Sequence, residues 1–285
     1  MAFGSLMICL AAEMLEYLPP TPTAVAIGDL TFEPRGRDLS KVRDRLTRAR
    51  RPFDAAALDR LRRLRGAERE AATPDYFRAL GYAAYETVDI EAVAQPRGFT
   101  RSFNLVTGNE TLAHVFDQHA FFTNMHRLCP QGGIMVHLAP FVGCANRGFF
   151  SVTPLLFTAL ADANRYQILR LAMVSARGEE MVASFRTIEE RALARSHGIL
   201  GRVGWFWRRW SGGDLARSVL QAARTGRDLS LLAVLRKTSD APFAMPVHGR
   251  TTSEALDTRP IADGAPRPAA AREAVGGLTG TAAGR

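Results

Sequence analysis

The sequence predicts an α/β fold, with a mostly parallel sheet and helices on both of its faces. Short apolar runs alternate with segments of helical spacing along most of the 285 residues, and this alternation is typical of βαβ units. The apolar runs are rich in Val, Ile and Leu, as strands buried on both faces require. A hydrophobic content of 47% suits a domain with a substantial core.

Six strands are predicted in chain order, with helices between most of them. An N-terminal amphipathic helix ends at Pro19-Pro20, because proline cannot continue a helix. A later helix opens at Thr73-Pro74, with Thr73 as the N-cap and proline at the first helical position. The predicted strands cover residues 23–30, 82–90, 103–108, 133–139, 168–175 and 229–237. The other predicted helices cover residues 38–49, 54–70, 114–128, 153–163, 179–196 and 214–225.

Composition divides the chain into three segments. Residues 1–22 form the N-terminal helix, and residues 23–248 form the main domain, which carries a basic helical insertion at 33–72. Residues 249–285 are Thr, Ala, Gly, Pro and Arg with almost no large apolar side chain. Such a tail buries too little surface to offset its ordering entropy, so we expect it to be disordered.

The formal net charge of +9 is uneven, because arginines crowd residues 35–69. A basic surface attracts polyanions, although the interleaved acidic residues also fit a solvated helical face. Aromatic residues are nearly absent there, so we expect no specific nucleic-acid binding. A peripheral contact with an anionic membrane stays open. The Trp–Arg cluster at 205–210 suits either such an interface or a cap over the sheet edge.

Cysteine usage and the N-terminus favour a cytoplasmic protein. The three cysteines have no CxxC spacing, which argues against a zinc site and a disulfide framework. No basic residue precedes the first apolar run, and Glu13 and Glu16 follow it at helical spacing, unlike a secretory signal. No run approaches the roughly 20 apolar residues of a membrane span.

The pair Gly132-Gly133 is predicted to be a turn. Phosphate-binding glycines follow a strand and precede a helix, whereas these glycines end a helix and begin a strand, as a helix C-cap requires. The first strand ends in GDLTFEP, without GxGxxG, and the chain has no P-loop motif. These absences argue against NAD and FAD, but a cofactor without a pyrophosphate does not need several glycines.

An amphipathic helix, then P-x-G-G, then an apolar strand resembles the turn before the fifth strand of class I S-adenosylmethionine-dependent methyltransferases. Three further stretches are similar to a bacterial methyltransferase-like group often met beside polysaccharide and glycosyl-transfer functions. They are FNLVTGNETLAHVFDQ (103–118), GFFSVTPLLFTALADANRYQI (148–168) and VLRKTSDAPFAMPVHG (234–249). The resemblance covers roughly residues 75–249, with a weaker match over residues 1–32. It implies a Rossmann-like class I methyltransferase fold. The chain between Asp89 and Phe103 is too short for a helix and a strand, so the sheet is expected to be reduced by one strand.

The resemblance also implies S-adenosylmethionine as cofactor and methyl transfer to a small-molecule or glycan-related acceptor. Asp89 would accept both ribose hydroxyls, although it could equally cap a helix. The implied cofactor-binding residues are Gly28, Asp29, Asp89, Ile90, Gly108 and Asn109, and the implied catalytic residues are His114, His137 and Asn146. Either histidine could act as the general base or be a core or loop residue, whereas His126 is expected to be structural.

Several positions depart from the pattern of that group. Asn104, Ala113 and Arg147 stand where the group has Asp, Glu and His, and Glu110 stands where Gly is usual. Together with the missing glycine motif, these departures favour an alternative function. The chain would then be a catalytically degenerate methyltransferase fold that acts as a binding or scaffold module, including at anionic surfaces.

Overall fold

The computed structural model describes residues 2–3, 5–28, 30–34, 37–94, 99–142, 148–175, 180–181 and 229–246. Its strands are β1 (Ala2–Phe3), β2 (Thr23–Ile27), β3 (Thr31–Phe32), β4 (Ala84–Val88), β5 (Leu105–Asn109), β6 (Ile134–Val142), β7 (Tyr166–Ser175), β8 (Glu180–Met181) and β9 (Leu229–Lys237). Its helices are α1 (Ser5–Met14), α2 (Asp38–Arg48), α3 (Ala55–Leu61), α4 (Gly66–Glu70), α5 (Thr73–Ala79), α6 (Ile90–Val93), α7 (Gln118–Leu128) and α8 (Pro154–Asn164), with a 3-10 helix at Thr111–His114. The predicted helix at 214–225, the Trp–Arg cluster and the predicted tail lie outside the described residues.

The main sheet has the strand order β4-β2-β5-β6-β9-β7-β8, and β1 pairs with β3 in a separate two-stranded sheet. Neighbours among β4, β2, β5 and β6 pair in parallel, whereas β9 is antiparallel to both β6 and β7. The six longer strands are the six that the sequence predicts. The predicted class, a mostly parallel Rossmann-like α/β fold, is confirmed by this topology.

Helices cover both faces of the sheet, and alternate strand residues supply two apolar cores. In β6, Ile134 and Val136 pack under α1, α2, α3 and α5. Met135 and Ala139 point to the other face, under α6, α7 and α8. Since successive side chains of a strand point to opposite faces, one apolar strand serves both cores.

Helix α1 is buried on nearly all sides, so the prediction of an amphipathic helix is wrong. Seven residues between Met7 and Leu15 are each at most 3% exposed. The hydroxyl groups of Tyr76 and Tyr82 donate to the Ile8 and Ala11 carbonyl oxygens, at 2.6 and 2.9 Å. The helix therefore belongs to the core of the sheet domain, and its Glu13 carboxylate pairs with Arg170 on β7.

Other element boundaries differ from the prediction for local reasons. The helix predicted over 54–70 is interrupted between α3 and α4, and α3 is capped by the Asp54 carboxylate, which accepts from the Ala57 amide at 2.8 Å. Helix α5 has Ala72 as its N-cap, since the Thr73 hydroxyl donates to the Leu30 carbonyl oxygen at 2.7 Å instead. The helix predicted from residue 114 begins at Gln118.

The start of the helix predicted over 179–196 is a strand instead, because it pairs with β7. Glu180 and Met181, predicted to open a helix over 179–196, form the short strand β8. They pair with Val174 and Met173 of β7, so the antiparallel edge of the sheet extends by one strand. Residues 182–196 of that predicted helix lie outside the described residues.

Candidate functional site

The carboxyl ends of β2 and β5 border the point where the winding of the sheet reverses. From β2 the chain adds β4 on one side and then crosses to add β5 on the other. Ligands of open α/β sheets bind at such a switch point. Here Ile27 is paired with Gly108, and the Thr111 hydroxyl donates to the Ile27 carbonyl oxygen at 2.9 Å. This hydrogen bond joins the two strand ends.

Gly28 and Ile90, two of the predicted cofactor residues, lie against each other at this edge. Gly28 has a φ of +81°, and its amide donates to the Val88 carbonyl oxygen at 2.8 Å. A Cβ atom at Gly28 would lie 3.3 Å from Ile90 Cγ1 and 3.8 Å from Thr111 Oγ1. The glycine therefore permits both a left-handed backbone and this close packing. Thr111 is not among the predicted site residues, although it lies just beyond the third predicted strand.

Asp89 follows β4 beside Gly28 in the sheet order, and its side chain is exposed. Its Oδ1 accepts from the Glu91 amide at 3.0 Å and so caps α6. Within the described part of the chain, Oδ2 has no hydrogen-bond partner. A carboxylate oxygen has two acceptor lone pairs, so capping leaves Asp89 with acceptor capacity at the site.

Gly108, Asn109 and His137 form a second group, on the β5–β6 side. Gly108 is the register partner of His137, and a Cβ atom there would lie 3.8 Å from His137 Nδ1. Asn109, the last residue of β5, is buried and only 5% exposed. Three of the predicted site residues are thus adjacent, but in the interior of the protein.

The His137 ring is 1% exposed. The rings of Phe121, Phe122 and Phe157 lie 5.5 to 6.2 Å from it, centroid to centroid. Its Nδ1 has no hydrogen-bond partner in the described part of the structure. Burial lowers the pKa of His137 to about 4, because a charged imidazolium is costly in an apolar environment. The ring is therefore neutral at pH 7.

His114 lies in a different environment, at the exposed end of the 3-10 helix. The preceding residue, Ala113, is buried, and its carbonyl oxygen accepts from the Phe149 amide at 2.7 Å. A Cβ atom at Gly148 would lie only 2.6 Å from Ala113 Cβ. The structure thus does not bring His114 and His137 onto one surface, and it leaves little room for a longer side chain at position 113. Asp29 and Asn146 lie outside the described residues.

Exposed phenylalanines that sequence reasoning missed lie near His114. Phe116 is two residues further along the chain, and the Phe149 amide donates to the carbonyl oxygen of the residue before His114. Phe116 and Phe149 are 78% and 68% exposed. Their ring centroids are 6.1 Å apart, and Phe150 lies 5.7 Å from Phe116. A large hydrophobic residue at 116, early in a predicted helix, and a Phe pair at 149–150 were the available signals. The cluster places apolar surface at the carboxyl edge of the sheet.

Gly132 and Gly133 form a turn, as predicted, but they do not cap the helix, because α7 ends at Leu128 and its C-cap is Cys129. Gly132 has a φ of +84°, and its amide donates to the Lys237 carbonyl oxygen at 2.8 Å. The Gly133 amide donates to the Pro130 carbonyl oxygen at 2.9 Å, and a Cβ atom there would lie 2.8 Å from Cys129 Sγ. Both amides are used within the protein, so neither is directed at an anion.

His126 is a structural residue, as predicted. Its Nδ1 lies 2.7 Å from the Tyr166 hydroxyl, and its Nε2 lies 2.9 Å from the Ala241 carbonyl oxygen. Because only a protonated Nε2 can donate to that carbonyl, the neutral ring accepts from Tyr166 at Nδ1. Burial, followed by the charge of Lys237, lowers the pKa of His126.

Neither a metal centre nor a membrane span is found among the described residues. They contain no group of three His, Cys, Asp or Glu side chains that could hold a metal ion. No helix among them is long and apolar enough to cross a membrane.

Comparisons with known proteins find likeness at the level of structure only. No family model and no curated protein matches the sequence. A geranyl diphosphate methyltransferase in complex with SAM is 12% identical, with 82% of this chain and 85% of that chain covered and a TM-score of 0.38. The 4+2 cyclase SpnF is 16% identical, with coverages of 82% and 81% and a TM-score of 0.39. Phosphoethanolamine N-methyltransferase 2 of Haemonchus contortus, with S-adenosyl-L-methionine, is 11% identical, with coverages of 81% and 52% and a TM-score of 0.36. The fold class given above rests on the strand order of this chain itself.

Proposed function

We propose that the protein transfers a methyl group from S-adenosylmethionine to a small-molecule or glycan-related acceptor. The observation that carries the proposal is the meeting of Gly28, Ile90 and Thr111 at the switch point of the sheet, beside the Asp89 carboxylate. Ligands bind at such a point in open α/β sheets. The acceptor class follows from the sequence resemblance.

The residues at this edge fit a nucleoside cofactor that lacks a pyrophosphate. Asp89 retains acceptor capacity for ribose hydroxyls. Ile90 is half-buried and supplies apolar surface next to it. A single glycine, Gly28, lets the chain turn tightly after β2. Bound at this edge, the cofactor would supply an electrophilic methyl group.

The acceptor side of the proposal rests on His114. An oxygen or nitrogen acceptor must lose a proton as it is methylated, and a general base near it assists that loss. His114 is exposed at the carboxyl edge of the sheet. His137 is enclosed by aromatic rings, so any contribution from it would be to hold the β5–β6 strand ends in place.

Calorimetric titration with S-adenosylmethionine tests the cofactor role. Asp89→Asn keeps a capping oxygen for α6, since Asn is as good an N-cap as Asp, but it removes the charge and one acceptor. The Kd for the cofactor should rise at least about tenfold, because hydrogen bonds to charged groups are the stronger ones. Asp54→Asn, at the cap of α3, is the matched control and should leave the Kd unchanged.

Two results would contradict the proposal. Absence of any binding at millimolar cofactor removes the methyltransferase function altogether. Binding that Asp89→Asn does not weaken removes the ribose role. Cofactor binding without methyl transfer to any acceptor in a panel of glycans and small molecules would instead favour a binding or scaffold module.

A further inference from the structure

The helices that cover one face of the sheet present a surface that is strongly basic. From Lys41 to Glu68 eight basic side chains are exposed, against four exposed carboxylates. The exposed basic residues are Lys41, Arg43, Arg48, Arg50, Arg60, Arg62, Arg63 and Arg65. We call this surface, formed by α2, α3 and the turns after them, the basic face.

Few of these charges are neutralised within the protein. Arg43 lies 3.7 Å from Asp59, and Arg60 lies 3.9 Å from Asp54. The other six basic side chains of the face make no ion pair with any residue that the structure describes. Half-buried Arg51 is used differently, because its guanidinium donates to the Leu15 and Leu18 carbonyl oxygens and fastens the end of α1.

The inward sides of the same helices explain why the charges share one surface. Leu39, Val42 and Leu46 of α2 and Leu58 and Leu61 of α3 are buried in a single core. Helices α2 and α3 contact each other, and α2 also packs on α1 and α3 on α5. Their remaining positions must therefore point away from the sheet, toward solvent.

We propose that the basic face docks the protein reversibly on a membrane surface rich in anionic lipid. Clusters of four to eight Lys or Arg residues are attracted to such surfaces. Between residues 41 and 68, Phe53 is the sole aromatic residue, and it is half-buried against the core. Asn, Gln, Ser and Tyr are missing from this stretch, and Thr47 donates to the Arg43 carbonyl oxygen.

This composition separates a lipid surface from a nucleic acid. Single-stranded nucleic acid is held by aromatic stacking, and adenine is read in the major groove by Asn or Gln side chains. The basic face offers neither. A layer of lipid headgroups requires only distributed positive charge. Because the face carries no exposed apolar anchor, docking should be reversible and should weaken with salt.

Flotation of the full-length protein with vesicles tests the proposal. Vesicles of phosphatidylcholine with phosphatidylglycerol should bind the protein at low salt, and vesicles of phosphatidylcholine alone should not. The double variant Arg62→Gln/Arg63→Gln should lower the partition coefficient about 25-fold, since each basic residue near an anionic surface contributes roughly a factor of five. Circular dichroism checks that this double variant, the control variant described below and the parent protein are all folded.

A matched control removes the same charge elsewhere. Arg127→Gln/Arg165→Gln alters two exposed arginines on α7 and after α8, against the opposite face of the sheet, and should leave the partition unchanged. Equal binding to neutral vesicles, or equal loss in both double variants, overturns the proposal. So does tighter binding to a 20-base-pair DNA duplex than to anionic vesicles at the same phosphate concentration. The titration with S-adenosylmethionine is independent of these outcomes.

Discussion

At the residue scale, His137 shows how burial makes stability depend on pH. The unfolded chain protonates this histidine near pH 6.5, whereas burial in the folded protein lowers its pKa to about 4. Between these values the unfolded state binds more protons, so stability is complete above pH 6.5 and is lost as the pH falls toward 4. The loss approaches about 3 kcal/mol, because one pKa unit corresponds to about 1.4 kcal/mol.

Substitution of His137 isolates this effect. We expect His137→Leu to make the free energy of unfolding less sensitive to pH between 7 and 4.5 than in the parent protein. Urea denaturation at several pH values measures both. His126, whose pKa is also lowered, remains in both proteins, so its contribution cancels in the comparison. Parallel pH profiles would contradict the burial of a neutral imidazole.

A second residue-scale prediction concerns the contact between Gly148 and Ala113. A Cβ atom at Gly148 would lie 2.6 Å from Ala113 Cβ and 2.7 Å from its carbonyl oxygen, and Gly148 has a φ of +144°. Gly148→Ala should therefore push residue 148 away from Ala113 and lower the free energy of unfolding by about 1–3 kcal/mol. Gly66→Ala is the control for a positive φ without crowding, since nothing lies within 4 Å of its Cβ position. If both variants lower the free energy of unfolding equally, the contact between Gly148 and Ala113 does not contribute to stability.

At the element scale, the carboxyl end of α7 is stabilised by a buried lysine. Lys237 of β9 is 5% exposed, and its ammonium donates to the His126 and Cys129 carbonyl oxygens at 3.0 and 2.9 Å. These carbonyls belong to the last turn of the helix, where no further helical amide is available. A cation there also interacts favourably with the helix dipole.

Lys237→Met should leave both carbonyl oxygens without this donor. The free energy of unfolding should fall by about 2–6 kcal/mol, since two buried groups are left unsatisfied and each costs about 1–3 kcal/mol. Loss of the charge should also raise the pKa of His126, which Lys237 holds down, and NMR titration measures that shift. Lys41→Met, at an exposed position of α2, should change neither quantity.

The elements show what local sequence can reveal. All six predicted strands form. The apolar runs of β2, β5, β6 and β9 are largely buried, whereas the edge strand β4 is at most half-buried. Helix ends were missed where a side chain made an unforeseen hydrogen bond, as Thr73 does with the Leu30 carbonyl oxygen. The helix α1 was misjudged because its polar Glu13 indicated an exposed side, whereas Arg170, 157 residues away, pairs with it.

At the scale of the whole molecule, the site depends on contacts that the sequence order hides. The proximity of Gly28 and Ile90 could be predicted, because the carboxyl ends of parallel strands meet at one edge of the sheet. The enclosure of His137 could not be predicted from these rules. The aromatic rings around it come from α7 and α8, and those helices cover a sheet in which β9 lies antiparallel between β6 and β7. Strand order is set by packing between distant segments.

The two cores share the strands of one sheet, so we expect the molecule to unfold as a unit that includes α1. Ile8 is fully buried in the core that also contains β2, β5, β6 and β9. Ile8→Ala should therefore lower the global free energy of unfolding by about 2–5 kcal/mol, as other large-to-small core substitutions do. Urea unfolding followed by circular dichroism and by proteolysis should give one coincident transition.

The exposed Met245 provides the control, because Met245→Ala removes a side chain that is 55% exposed and should change stability by less than about 0.5 kcal/mol. A separate early transition in the Ile8 variant, with the remaining unfolding unchanged, would show that α1 is a detachable segment. The hydrogen bonds from Tyr76 and Tyr82 to α1 argue for the opposite result. Both tyrosines are buried, Tyr76 in α5 and Tyr82 just before β4, so α1 cannot leave without uncovering the core.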